Sequence, residues 1–264
     1  MYDFAYHKPT TVAEAVKLLS ADSEARAISG GQTLLPALKH RLNKPTSVVD
    51  LSGIAELKGV KRQGDKIVIG AMTRHADVAN NAEVMAAIPS LALMAAGIGD
   101  NQVRNRGTLG GSVANNDPAA DYPSAVLALN ATIVTDRRRI AADDFFQGMF
   151  TTALDAGELL VAVEFPIPEK AGYAKMRNPA SRYVMAGAFV AKTGGQVRVA
   201  INGAAACVFR QAEMERALTG AWSADSVAGV KQPSSDMNSD IHGSAEYRAH
   251  LVTVMAKRAV IAAG

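Results

Sequence analysis

The stretch Ala25-Arg26-Ala27-Ile28-Ser29-Gly30-Gly31-Gln32-Thr33-Leu34-Leu35 decides how the chain folds. Residues 25–28 read as a short strand. A Gly-Gly turn follows, and residues 33–42 have helical character, with Pro36 tolerated in the opening turn. Pro45 helps to end that helix, and Ser47-Val48-Val49-Asp50-Leu51 reads as a second strand. Strand, glycine turn, helix and strand within about thirty residues make a βαβ unit, and hence locally parallel sheet. The unit sets Gly30 and Gly31 at a helix N-terminus, where exposed N–H groups and the macrodipole favour a phosphate. The turn is not a Walker loop, since no Gly-Lys-Ser/Thr follows, and it lacks the G-x-G-x-x-G fingerprint.

A second tract repeats the chemistry. Thr108-Leu109-Gly110-Gly111-Ser112 again places two glycines beside hydroxyl side chains. Glycine pairs admit positive φ and close approach of a ligand to the main chain. Hydroxyls and freed amides are what an anionic oxygen needs. Either turn alone could be an ordinary loop. Two of them suggest two halves of one diphosphate cradle.

With 264 residues the chain can form two or three subdomains around a substantial core. Apolar residues at 48% and charged ones at 20% are ordinary for a globular protein. No apolar run reaches the length of a membrane span. The opening Met1-Tyr2-Asp3-Phe4 lacks the layout of a secretory signal, so a cytoplasmic, reducing location is expected. The single cysteine, Cys207, excludes an internal disulfide and any cysteine-ligated cluster held by this chain alone. Net charge is +3, but the only basic run, Arg137-Arg138-Arg139, lies between acidic residues with no interleaved aromatics. It reads as a solvated turn or a partner contact, and nucleic acid is not an expected ligand.

Elsewhere the pattern supports mixed helix and sheet. Thr11-Val12-Ala13-Glu14 is a capping box ahead of an apolar face of Val12, Ala15, Val16 and Leu19. Residues 57–61 and 66–69 flank Gln63-Gly64-Asp65 as a hairpin. Thr73 can cap a short helix through Val78, an apolar segment spans 88–98, and a polar stretch over 99–107 leads into the second glycine tract. Asp121 could cap a helix over 122–129 or accept hydrogen bonds from ligand hydroxyls. Strands are expected at 131–135, 158–165, 172–177, 183–192 and 197–201, with 204–209 returning beside the last. A final helix over 244–261 should bury Tyr247, Leu251, Val254 and Met255. Changes of character fall near 55 and 170, which divides the chain into 1–55, 56–170 and 171–264.

No Ser/His/Asp order, carboxylate pair or zinc spacing stands out. Cys207 is expected as a buried residue of an apolar strand. His40 and His75 read as polar-face residues. Lys175 could be a plain surface residue or could set its charge against an electron-rich ring. The missing acid–base machinery points to chemistry that resides in a bound cofactor.

The two tracts, Ala27-Ile28-Ser29-Gly30-Gly31-Gln32-Thr33 and Val103-Arg104-Asn105-Arg106-Gly107-Thr108-Leu109-Gly110-Gly111-Ser112, resemble the paired FAD-diphosphate motifs of molybdenum hydroxylase flavoproteins. That family comprises the medium subunits of aerobic carbon monoxide dehydrogenase-type enzymes and the flavin domain of xanthine dehydrogenase. The resemblance extends through Phe4-Ala5-Tyr6-His7-Lys8-Pro9, Asp117-Pro118-Ala119-Ala120-Asp121 and the tail from Gly243 to Arg248. It implies an α+β, vanillyl-alcohol-oxidase-like FAD-binding fold of two α/β subdomains plus a C-terminal domain of antiparallel sheet and helices.

By that resemblance, Ala27, Ile28, Ser29, Gly30, Gly31, Gln32 and Thr33, with Thr108, Leu109, Gly110, Gly111 and Ser112, would wrap the diphosphate through main-chain N–H groups. Asp121 would bind adenosine-side hydroxyls, and Leu160 would pack on the flavin or its linker. Lys175 would approach the isoalloxazine and favour its reduced anionic form, with Tyr183 near the ring. The chain would be an FAD-binding electron-transfer subunit. A small subunit with [2Fe-2S] clusters would supply electrons from a large subunit bearing the molybdenum cofactor, in a dimer of heterotrimers, and an external acceptor would take them. A self-contained FAD-dependent oxidase or reductase and a flavin-free scaffold are the alternatives. Neither substrate nor acceptor is legible in this chain.

Overall fold

The computed structural model describes residues 1–264. The βαβ unit forms where the glycine turn demands it. Arg26–Ile28 pairs in parallel with Ser47–Asp50, and Leu34–Lys39 is the crossover helix between them. Ala5–His7, which carries no strand signal of its own, pairs in parallel with the other edge of Ser47–Asp50. The central strand of this three-stranded sheet is therefore the one after the crossover.

Helix Val12–Ala21 carries Thr11 at its N-cap, where the hydroxyl accepts from Glu14 N at 3.2 Å. The Glu14 carboxylate answers one residue early, taking Thr10 N at 3.0 Å. A cap of this type contributes about 1 kcal/mol. Ala15 is fully buried, and Val12, Val16 and Leu19 pack beside it against Val49, Leu51 and Ile54.

A five-stranded antiparallel sheet occupies the middle of the chain, in the order Val60–Gln63, Lys66–Gly70, Leu160–Pro166, Thr132–Thr135, Arg139–Ala141. Its first hairpin closes at Gly64, where φ is +61°, as the Gln63-Gly64-Asp65 turn requires. Between its second and third strands in sequence lie six short helices, among them His75–Asn80, Pro89–Ala96, Asn101–Arg106, Leu109–Asn115 and Tyr122–Ala128. They fill one large core with Ile67, Ile69, Leu91, Leu109, Tyr122 and Phe165. Thr73 does not cap the helix that follows. Arg74 takes the N-cap position, and the Thr73 hydroxyl exchanges hydrogen bonds with Gly59 N and O instead.

The last third is a four-stranded antiparallel sheet ordered Lys170–Arg177, Val184–Thr193, Gln196–Asn202, Phe209–Arg210. Helix Ala245–Ala263 covers it. Gly172 is where the helix comes closest: a Cβ there would sit 2.0 Å from Ala259 O.

Three expectations fail in this part. Residues 204–209 do not return as a strand. Gly203, with φ at +78°, turns the chain, and Ala204 O instead accepts Asn238 N at 2.8 Å. Only Phe209–Arg210 pairs with the sheet. Cys207 therefore lies in irregular chain and is partly exposed. Tyr247 is 40% exposed, whereas its neighbour Arg248 is buried, donating to Met185 O, Gly203 O and Asp240 Oδ2. The buried stripe of the last helix is thus centred on Arg248, Leu251, Val252, Met255, Ala256 and Ala259.

Leu51, Met72 and Leu159 of the core beneath helix Val12–Ala21, and Ala71 and Leu160 of the large core, border one cavity.

Candidate functional site

A cavity of about 950 Å³ lies between the first sheet and the five-stranded one, at the upper end of the size range for small-molecule sites. The loop residues Ser181, Arg182 and Tyr183 also line it. The first glycine turn forms one wall. Gly31 needs to be glycine because φ is +74°. Gly30 needs to be glycine for space: a Cβ there would sit 2.1 Å from Arg106 O. The two tracts are thus in main-chain contact. Beside that contact, Ser29 Oγ lies 2.5 Å from Thr108 Oγ1, and Ser29 Oγ also reaches Met72 Sδ at 2.9 Å.

The N–H groups of Gly30, Gly31, Gln32 and Thr33 donate to no group within the chain. Backbone donors of this kind are ordinarily satisfied, so four in succession beside a cavity make a ready anion cradle.

The second tract differs from expectation. Leu109 N donates to Thr73 O at 3.0 Å, Gly110 N to Ala71 O at 2.8 Å, and Ser112 N to Thr108 O at 3.1 Å. Gly111 N donates to Thr108 Oγ1 at 3.1 Å. Gly111 and Ser112 thus use their amides in the first turn of helix Leu109–Asn115, and Leu109 and Gly110 use theirs on residues 73 and 71. Of this tract only Thr108 N has no partner in the chain, and this side of the cavity presents mainly hydroxyls. The Leu109 side chain is fully buried in the core. Gly110 is glycine because a Cβ would sit 2.5 Å from Ala71 Cβ.

Of the residues singled out in the sequence, Ala27, Ser29, Gly30, Gly31, Gln32, Thr33, Thr108, Gly110, Gly111, Ser112, Asp121, Leu160 and Tyr183 line the cavity. Ile28, Leu109 and Lys175 do not. Lys175 is buried behind the wall. Its Nζ donates to Asp121 Oδ1 at 2.8 Å and to Gly97 O at 3.0 Å. A free charge against a ring is not what it offers; it is the counter-ion of Asp121.

Tyr173 OH donates to the same Asp121 oxygen at 2.8 Å, which leaves Oδ2 without a partner in the chain. Burial pushes the Asp121 carboxyl up, and the Lys175 ammonium opposes the shift. Asp121 occupies the N-cap position of Tyr122–Ala128 but its side chain caps nothing. Tyr183 is 52% exposed at the mouth, close to Asp117, and partial burial raises its phenol.

Two groups escaped the sequence reading. His75, expected on a polar face, is 5% exposed and lines the cavity. A lone histidine without a second ligand carries no signal, so nothing marked it. Leu154 and residues 156–159 also line the cavity, and there the basic run is neutralised. Arg138 makes paired bonds to Glu158 at 2.8 and 2.9 Å, Arg139 meets Glu164, and Arg137 meets Asp136. The run is the solvated turn expected, its three exposed arginines tied to neighbouring carboxylates. No group of three or more His, Cys, Asp or Glu side chains could hold a metal ion, and no helix is long and apolar enough to cross a membrane.

Comparison with known proteins agrees with this geometry. Residues 2–168 match the family model described as FAD binding domain in molybdopterin dehydrogenase, and residues 173–263 match CO dehydrogenase flavoprotein C-terminal domain. The nicotine 6-hydroxylase medium subunit of Paenarthrobacter nicotinovorans is 38% identical, across 98% of this chain and 96% of that protein. The carbon monoxide dehydrogenase medium chain of Hydrogenophaga pseudoflava is 34% identical, across 98% and 96%. Among solved structures, reconstituted CO dehydrogenase from Oligotropha carboxidovorans superposes with a TM-score of 0.93 at 33% identity, covering 99% of this chain and 98% of that one.

Proposed function

Because this chain belongs to the FAD-binding medium-subunit family of the molybdenum hydroxylases, we propose that it is the electron-transfer flavoprotein of a heterotrimeric oxidoreductase. The observation that carries the assignment is the run of four unpartnered N–H groups, Gly30 to Thr33, facing a cavity large enough for a dinucleotide. The residues present fit FAD. The cradle supplies donors without adding cations, the Ser29 hydroxyl adjoins it, those of Thr108 and Ser112 belong to the second tract, and Leu160 offers an apolar surface.

In this reading Gly30, Gly31, Gln32 and Thr33 bind the pyrophosphate by main-chain N–H donation, with Ala27 and Ile28 fixing the strand that ends in the turn. Thr108, Leu109, Gly110, Gly111 and Ser112 form the opposing wall, in which Leu109 and Gly110 serve packing and the hydroxyls contact the ligand. Asp121 accepts from a ligand hydroxyl through Oδ2, and Lys175 with Tyr173 positions it. Tyr183 borders the ring at the mouth. Residues 1–55 and 56–170 contribute the two halves of the cradle, and 171–264 the mouth.

Bound flavin supplies the exchange between single-electron and two-electron carriers. In the same proposal the [2Fe-2S] clusters and the molybdenum cofactor belong to a small and a large partner subunit, in a dimer of heterotrimers in the cytoplasm, a reading supported by relatives named as medium subunits of such enzymes. Substrate oxidation takes place on the partner.

The test is gentle purification from the native host. Yellow protein with a flavin spectrum, accompanied by iron–sulfur and molybdenum-bearing chains, is the expected result. A flavin-loaded chain that stays alone and reduces an acceptor directly would favour the oxidase reading instead, and a colourless one the scaffold.

A further inference from the structure

Two buried polar groups beside the cavity are without partners. His75 Nδ1 and Tyr122 OH are both sealed from solvent and hydrogen-bond to nothing. Their rings lie 5.3 Å apart, tilted by 37°. Buried polar atoms are nearly always satisfied, so an orphaned pair calls for a reason.

The backbone around His75 is rigid. His75 N donates to Gly107 O at 2.9 Å, Leu109 N donates to Thr73 O at 3.0 Å, and Arg74 bridges Thr108 in antiparallel fashion. The imidazole is thereby fixed at the start of the second tract, next to the Ser29–Thr108 contact. Burial, and the Arg104 guanidinium nearby, push its pKa down to about 4, so the ring is neutral near pH 7. A neutral imidazole carries one proton. With Nδ1 sealed and lacking an acceptor, that proton is best held at Nε2. Nε2 makes no hydrogen bond in the chain. It is left uncovered because residue 107 has no side chain: a Cβ on Gly107 would lie 2.6 Å from it. Gly107 has φ near −61°, a conformation open to any residue, so its lack of a side chain matters for space. Both His75 and Gly107 line the cavity.

We propose that His75 is a binding residue for FAD, donating Nε2–H to a pyrophosphate oxygen across from the Gly30–Thr33 amides. This rests on the FAD reading above and adds a donor on the side of the site where the amides of residues 109–112 are already used. Nδ1 stays sealed behind the ring, and the ligand supplies the acceptor that Nε2–H lacks within the chain, at some expense to the stability of the empty protein.

The experiment compares the full chain in its apo form as wild type, His75→Leu, His75→Gln and Gly107→Ala, with FAD titrated into each and the melting temperature recorded without FAD. His75→Leu is expected to weaken FAD binding about tenfold or more while its apo melting temperature holds or rises, because an unsatisfied polar group has been removed from the interior. His75→Gln retains a donor at the same reach and should stay within about threefold of wild type. It should also shift the ³¹P resonances of bound FAD without changing the flavin absorption band. Gly107→Ala, which covers Nε2, should weaken binding as His75→Leu does. Wild-type affinity in His75→Leu overturns the inference. So does an apo melting temperature that falls in both His75 variants with no rescue of affinity by Gln, which is the pattern of a structural residue. Wild-type chain that takes up no FAD defeats the FAD reading itself, and this inference with it.

Discussion

Lys175 Nζ and Asp121 Oδ1 meet at 2.8 Å with both side chains at least nine-tenths buried. The pair joins the C-terminal sheet to the start of helix Tyr122–Ala128, and it stands between the core and the cavity. Tyr173 and Asn202 extend it: Tyr173 OH donates to the same Asp121 oxygen, and Asn202 Nδ2 holds Ala120 O at 2.7 Å. The wall that carries Asp121 is therefore set by the third sheet.

A buried ion pair that loses one partner leaves an uncompensated charge, which costs about 3–5 kcal/mol, whereas replacing both partners by neutral groups is often tolerated. Lys175→Met should therefore destabilise the protein by about that amount, and adding Asp121→Asn should recover most of it. Chemical denaturation of the two single variants and the double variant measures the coupling directly. Equal losses in Lys175→Met and the double variant would show that the two charges are not balanced against one another.

Glu158 gives a pH dependence whose sign can be worked out. Its carboxylate accepts from Arg138, Asp155 N and Thr135 Oγ1, and those donors, Arg138 first, hold its pKa at about 2, below the ordinary 4.5. A depressed carboxylate contributes stability that is present above its unfolded pKa and is lost as pH falls through the folded one. The contribution should be whole above pH 4.5 and disappear by about pH 2. Glu158→Gln should be less stable than wild type at neutral pH and show a shallower decline across that window, as read by thermal melts at stepped pH.

The sequence carried the periodic and punctuated elements well, because their causes are local. The capping box at Thr11, the turn at Gly64 and the βαβ unit around Gly30 each rest on residues a few positions apart. What escaped was set by distant neighbours. Ala5–His7 is a strand only because Ser47–Asp50 offers an edge, and Thr73 gives its hydroxyl to Gly59 rather than to its own helix. At the site, the first turn read correctly as open backbone, whereas the amides of Leu109 and Gly110 were lost to Thr73 and Ala71, partners more than thirty residues away. The same holds for Lys175, whose partner is 54 positions distant. A glycine in sequence announces that something comes close, and it does not say whether that is a ligand or the next loop.

Thr108 joins the two tracts through one hydroxyl, which accepts from Gly111 N at 3.1 Å and pairs with Ser29 Oγ. Thr108→Val keeps the shape and removes both bonds. Loss of such a cap costs about 1 kcal/mol, and the loosened junction should weaken FAD binding as well. Thr108→Ser should restore both. Melting curves and FAD titration on the same samples separate the two effects, and a Val variant identical to wild type in both would show that the junction is held by the backbone alone.

Gly30→Ala is the sharpest test of how the two halves of the cradle meet. The methyl group would lie 2.1 Å from Arg106 O and 2.7 Å from Gly107 Cα, both main-chain atoms that cannot swing aside. Relief requires the whole turn to back away from residues 106–107. That motion would carry the N–H groups of Gly30 to Thr33 off the pyrophosphate, so FAD retention should be lost together with about 1–3 kcal/mol of stability, the usual cost of overpacking. Gly31→Ala tests something different. It meets only side-chain atoms, Leu35 Cδ1 at 2.9 Å and Cγ at 3.2 Å and Ile28 Cδ1 at 3.3 Å, but it forces a non-glycine residue to φ of +74°, which costs about 1 kcal/mol. Its effect on stability should be the smaller, with FAD bound more weakly but still detected. Flavin-to-protein ratios after gel filtration rank the two, and a Gly30→Ala chain that retains FAD in full would mean the tracts part on binding rather than close around the ligand.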